Sequence, residues 1–170
     1  MIRLTFAVSA AAAASSCRDS SPLGVELPTP TLAVSKPKQG SGANLVQCTP
    51  LPFDSVTQVV GPKGGELNVG PHTLDVPRGA LSNPVAITAV APSGTLRWIR
   101  FAPDGLVFLQ PASLSMNYKK CKTQPSQTPR IAQVSDSLNV LEYLTVASTD
   151  KRTKWLIGDL NHFSNYAIAW

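Results

Sequence analysis

At 170 residues with 43% apolar side chains, the chain is long enough to bury one core and too short for several domains. Fifteen prolines and eleven glycines leave no long run of helix formers, which excludes a helical bundle and points to many short strands joined by turns. The formal net charge is +5, and the basic residues read as spread along the sequence: contact with acidic lipid or polysaccharide is permitted but not demanded.

The chain opens "MIRLTFAVSAAAAASSC". One basic residue, Arg3, precedes an apolar, small-residue run from Leu4 to Ala14, about half the length that a bilayer span needs. Residues 1–16 therefore read as a signal peptide. Ala14, Ser15 and Ser16 lead into Cys17 in a pattern similar to a bacterial lipobox, although that signal usually has Leu where Ala14 stands. The similarity implies that Cys17 is acylated and anchors the mature chain to a membrane; the alternative is an ordinary signal cut among the alanines, with Cys17 incidental. Arg18 in place of Asp after the cysteine favours the outer membrane. Residues 17–44, with Pro22, Pro28, Pro30 and Pro37 followed by "KQGSGAN", have neither strand nor helix periodicity and read as a tether.

Residues 45–170 change character. "SVTQVVG" predicts a strand, "GPKGGEL" a turn, and "HTLDVP" a strand with Leu74 and Val76 on one face. "VAITAVAP" is nearly continuously apolar and reads as a central strand. "RWIRFAPDGLVFLQP" predicts two strands around a turn at Pro103–Gly105. In "ASLSMNY", Leu114, Met116 and Tyr118 alternate with Ser113, Ser115 and Asn117, which are expected outside. "RIAQVSD", "NVLEYLTVAS", "KWLIGDL" and "FSNYAIAW" complete the set. The fold class is all-β, an antiparallel β-sandwich. Cys48 and Cys121 are expected to form a disulfide if the chain is exported; the alternative is two buried thiols too far apart to meet.

"GGELNVGPHTLDVPRGALSNPVAITAV" resembles the core of the ZU-five domain, the β-sandwich of ankyrins, netrin receptors and tight-junction scaffolds. The matching positions are Gly64, Gly65, Gly70, Pro77, Gly79 and Ala80, with Gly65 and Gly79 expected to take the left-handed conformation in tight turns. The later "FAPDGLVFLQPASLSMNY" and "NHFSNYAIA" look like bacterial exported proteins that carry this domain. The resemblance runs from about Val56 to Trp170 and implies a fold, not a job.

The chemistry on offer is sparse. His162-Phe163-Ser164 is similar to the cleavage motif of self-processing proteins, among them a nuclear-pore protein and a death-domain scaffold that carries ZU-five domains. In that reading the Ser164 hydroxyl attacks the Phe163 carbonyl, and His162 activates the hydroxyl or strains the amide. The quieter reading is a closing strand, with Phe163 on one face and Tyr166, Ile168 and Trp170 on the other. His72 is the only other histidine, the ten acidic residues are scattered, and Asp104 reads as a turn former. "KKCK" at Lys119–Lys122 and "DKRTK" at Asp150–Lys154 read as solvated loop ends, and Trp98 and Trp155 as sandwich filler. The expectation is a non-catalytic binding or structural module of the bacterial cell envelope, an accessory subunit of a membrane complex. It takes no metal, cofactor or nucleic acid, meets the membrane through Cys17, and has a protein partner. Self-cleavage at Phe163–Ser164 is the alternative, and a carbohydrate-binding module is a third.

Overall fold

The computed structural model describes residues 44–170. The signal segment 1–16, Cys17 and almost all of the tether lie outside the described residues. Thirteen strands and no helix make up the described chain, in antiparallel sheets stacked as a sandwich.

The six-stranded sheet contains β2 (Asp54–Val60), β5 (Val85–Ala91), β7 (Trp98–Ala102), β9 (Arg130–Val134), β10 (Val140–Tyr143) and β13 (Asn165–Ala169), in the order β10-β9-β13-β7-β5-β2. The five-stranded sheet contains β3 (Gly65–Val69), β4 (His72–Val76), β8 (Val107–Asn117), β11 (Val146–Asp150) and β12 (Trp155–His162), in the order β11-β12-β8-β4-β3. A short ribbon of β1 (Gln47–Leu51) and β6 (Gly94–Leu96) forms a third sheet.

Most connections cross from one sheet to the other, and this reshapes several expectations. "NVLEYLTVAS" is two strands: β10 and β11 belong to different sheets, and the chain crosses at buried Leu144, whose N–H donates to Ile131 O. Conversely, β8 runs unbroken through Pro111, joining two predicted strands into one of 11 residues. Pro111 is tolerated because the pairing with β12 is irregular there, shifting between Leu160↔Ala112 and His162↔Val107. The Pro103–Gly105 turn joins strands of opposite sheets, β7 and β8. β5 is second from the edge rather than central, with Ile87 and Ala89 buried on one face only.

The core between the sheets is built by the inward positions, among them Leu67, Leu74, Ile87, Ile99, Phe101, Leu114, Met116, Leu156, Leu160 and Ile168. β13 is buried on both faces. Tyr166 and Ile168 enter the main core, while Ala167 and Ala169 join Leu45, Ala132 and Val134 in a smaller cluster flanked by Trp98 and Tyr143. Trp98 therefore packs outside the space between the sheets, and both Trp98 and Trp155 are only half-buried. Asn117 is buried, not outward as alternation predicts: its own Oδ1 accepts from Lys119 N while its N–H donates to His72 Nδ1, 3.1 Å away.

Of the glycines singled out by sequence, Gly64 rather than Gly65 takes the left-handed conformation (φ +77°), and Gly79 does so as expected (φ +84°). A Cβ on Gly64 would come within 2.3 Å of Val76 O, so both backbone angle and space require glycine. Among the described residues, three that are not glycine are also left-handed: Lys120, Leu138 and Lys154.

Candidate functional site

The His162-Phe163-Ser164 stretch is the crossing from β12 to β13, at the end of the sandwich where the Pro103–Gly105 turn also crosses. The two crossings clasp each other. Phe163 N–H donates to Leu106 O (2.8 Å), and Gly105 N–H donates to Phe163 O (3.1 Å). Gly105 has φ +72°, which aims its amide at Phe163, and the turn follows a cis Ala102–Pro103 bond. The Phe163 ring stacks on Phe101 (centroids 4.8 Å apart, planes 13° apart) and meets Phe108 edge-on at 5.0 Å. Phe163 therefore shares one aromatic cluster with Tyr166, which faces Phe101 at 6.3 Å, instead of lying on the opposite face from it. The corner rotates the chain, so strand alternation does not carry through it.

Tyr166 ties the corner from the other side. Its hydroxyl donates to His162 O at 2.6 Å, a side-chain latch spanning the crossing, similar to the tyrosine corner of immunoglobulin-type sandwiches. Burial pushes the Tyr166 phenol well above its ordinary pKa, and the carboxylates of Glu142 and Asp104 add to the shift. The proton stays on oxygen and the latch holds across the physiological range.

His162 and Ser164 open into different clefts. One, of about 210 Å³, is lined by His162, Asn161, Glu142, Asp159, Gln133 and Tyr166. The other, of about 480 Å³, is lined by Ser164, Arg100, Asp104, Asp136, Leu141 and Asn165. Ser164 Oγ accepts from Gln133 Nε2 at 3.1 Å. His162 Nδ1 lies 3.3 Å from Phe163 O, the carbonyl that self-cleavage would attack. The imidazole and the Gly105 amide thus converge on the oxygen that would become negative, not on the hydroxyl that would need a base. With its proton on Nδ1, His162 could polarise the carbonyl as the second donor of an oxyanion site. The φ values of Phe163 and Ser164 are not in the left-handed region, and Ser164 O accepts from Phe101 N–H.

The opposite end of the sandwich holds the cysteines. Cys48 and Cys121 form a disulfide across a sequence separation of 73, as the sequence led us to expect. Hydrogen bonds Thr49 N–H to Lys120 O and Lys122 N–H to Gln47 O flank it. Beside this bridge, which straps β1 to the loop after β8, lies a polar group that sequence reading missed. Arg97 is buried; its Nη2 donates to Thr49 O at 2.7 Å, and its Nη1 has no protein partner among the described residues. Burial lowers its pKa. Across from it, His72 is buried too, and desolvation together with the Arg97 charge lowers its pKa to about 4. His72 is neutral at pH 7, with Nδ1 accepting from the Asn117 amide. Nothing in "LRWIRF" distinguishes buried Arg97 from exposed Arg100, because the inward face of β7 is set by its partner strands.

No group of three or more His, Cys, Asp or Glu side chains able to hold a metal ion occurs among the described residues. Against known proteins, no family model matches this chain and no curated protein matches it.

Proposed function

We propose that the chain is a lipid-anchored module of the bacterial cell envelope, carried on a ZU-five-like sandwich, that binds a protein partner and does not catalyse a reaction. The observation that supports this best is the Cys48–Cys121 disulfide. Such bonds persist in oxidising compartments, which agrees with an exported chain. The bridge staples β1, the first strand after the tether, to the loop behind β8, so a pull on an anchored tether meets a covalent stop. The partner is then a component of the same membrane assembly. Acylation of Cys17 should send the native protein into the detergent phase, and Cys17→Ala should release it to the aqueous phase; a wild-type chain already aqueous after export would sink the anchor. Co-purification from solubilised membranes followed by mass spectrometry identifies the partner.

A second reading has its own observation in its favour: the Phe163 carbonyl receives the Gly105 amide and has His162 Nδ1 3.3 Å away. In self-cleavage, Ser164 Oγ would bond to the Phe163 carbonyl carbon as the Phe163–Ser164 C–N bond breaks, with the hydroxyl proton passing to the freed amine. Water would then hydrolyse the ester to a Phe163 carboxylate. The folded chain would hold Ser164–Trp170 by strand pairing alone. Intact mass of denatured protein separates the readings. One full-length species supports the binding module; two pieces cut after Phe163, rejoined by Ser164→Ala, support self-processing.

A further inference from the structure

Two basic stretches that are far apart in sequence meet in the fold. Tyr118 N–H donates to Lys154 O at 2.9 Å, and Lys154 Nζ lies 5.5 Å from the centre of the Tyr118 ring. Trp155 pairs with Asn117 in the adjoining ladder. The loop after β8 and the turn before β12 therefore form one surface carrying Lys119, Lys120, Lys122, Lys151, Arg152 and Lys154. The one carboxylate in these two stretches, Asp150, is occupied by the Arg152 and Thr153 amides. Six cations against one carboxylate give a formal +5, equal to the net charge of the whole chain. The other described residues supply five bases and seven carboxylates, a formal −2. The charge that looks scattered in sequence is polarised in space.

We infer that this basic end is a docking face for an anionic phospholipid bilayer. Five of the six cations are lysines, compact charges on flexible stems suited to a diffuse layer of headgroups, not to bidentate recognition of one partner group. The same end receives the incoming chain: Lys122 N–H donates to Gln47 O, three residues after Asn44, and the disulfide fixes β1 to the basic loop. The charge distribution does not depend on the lipid-anchor reading. An apolar knuckle, Leu51-Pro52-Phe53, with Phe53 63% exposed, stands beside the Gly70–Pro71 turn that leads into His72 and so to Asn117.

The test uses the full chain carrying Cys17→Ala, so that no acyl group contributes, with vesicles of phosphatidylcholine alone or mixed with phosphatidylglycerol. The readout is the ratio of the two partition coefficients in cosedimentation, which cancels binding common to both. Neutralising one trio (Lys119, Lys120 and Lys122→Gln) or the other (Lys151, Arg152 and Lys154→Gln) should lower that ratio on the order of 100-fold, since each cation near an anionic surface contributes about fivefold. Lys63→Gln with Arg78→Gln, two surface charges elsewhere, should leave it unchanged. All the substituted side chains lie outside the buried core, and circular dichroism with thermal melting checks that each variant is folded. A ratio near one for the unsubstituted patch, or equal loss in the control, overturns the proposal. So does tight binding to soluble dextran sulfate without preference for the anionic vesicles, which would assign the patch to polysaccharide. Because every protein in the assay lacks Cys17, an unacylated native chain would refute the anchor and leave this ratio standing.

Discussion

The two ends of the sandwich are closed by different physics. At the corner end, Phe163 stacks on Phe101 and meets Phe108 edge-on around two clasped crossings, and the hydrogen bonds that join the crossings are between neutral backbone groups. At the strap end, a disulfide lies over a buried arginine and a buried neutral histidine. Burying an aromatic ring is favourable by itself, whereas burying Arg97 is costly unless something holds it there. The corner end closes because its side chains prefer the interior. The strap end buries apolar Val46, Met116 and Tyr118 too, but it also keeps a cation and an imidazole under a covalent bond, which makes it the end sensitive to solution conditions.

Reduction exposes the contrast most strongly. Replacing Cys48 and Cys121 together by Ala should cost about 4 kcal/mol in the chain-entropy view of a loop this long, less any strain released. In hydrogen exchange, the variant's strap amides, Val46, Thr49 and Lys122, should lose protection well before Gly105 and Phe163 at the corner. Equal loss at both ends would mean that the ends are not independent.

Acid sharpens the same comparison. His72 has a folded pKa of about 4 against an ordinary value of 6.5, so between these values the unfolded chain holds the extra proton. Stability is therefore full above about pH 6.5, declines as the pH falls towards 4 and levels off below it. The span is worth about 3 kcal/mol at 1.36 kcal/mol per unit. Denaturant midpoints measured across this window should show the decline, and His72→Asn, which keeps an acceptor for the Asn117 amide, should flatten it. A slope that persists in the variant would place the proton elsewhere.

The smallest effect belongs to the corner. Tyr166→Phe keeps the ring and removes the latch to His162 O, costing about 1.5 kcal/mol for one hydrogen bond and its stranded acceptor. The loss should be the same at pH 5 and pH 7, unlike the effect of His72→Asn. Chemical denaturation at the two values checks this.

The sandwich was legible because turn residues and period-two alternation are local signals. Leu114 and Met116, Leu74 and Val76 all point where their spacing says. Legibility fails where a strand changes sheets. "NVLEYLTVAS" is one apolar run in sequence, yet Leu144 spends its side chain at a crossing and divides it. Asn117 sits inside because His72, 45 residues away, offers its amide an acceptor. For the candidate site, the motif could be found but not its geometry, since the rotation at Phe163 sends His162 and Ser164 into separate clefts. The convergence of the basic loops follows from the antiparallel pairing of β8 with β12, Asn117 opposite Trp155, which no local pattern announces.

Two left-handed non-glycine residues, Lys120 and Lys154, are also members of the basic face. Left-handed backbone costs an ordinary side chain about 1 kcal/mol relative to glycine. A search for a more thermostable variant would accordingly pick Lys120→Gly and Lys154→Gly early, and each gain in melting temperature would remove a positive charge. Selection in a directed-evolution experiment should then run in opposite directions at these two codons: towards glycine when only heat resistance is screened, and back to lysine when retention on anionic vesicles is screened.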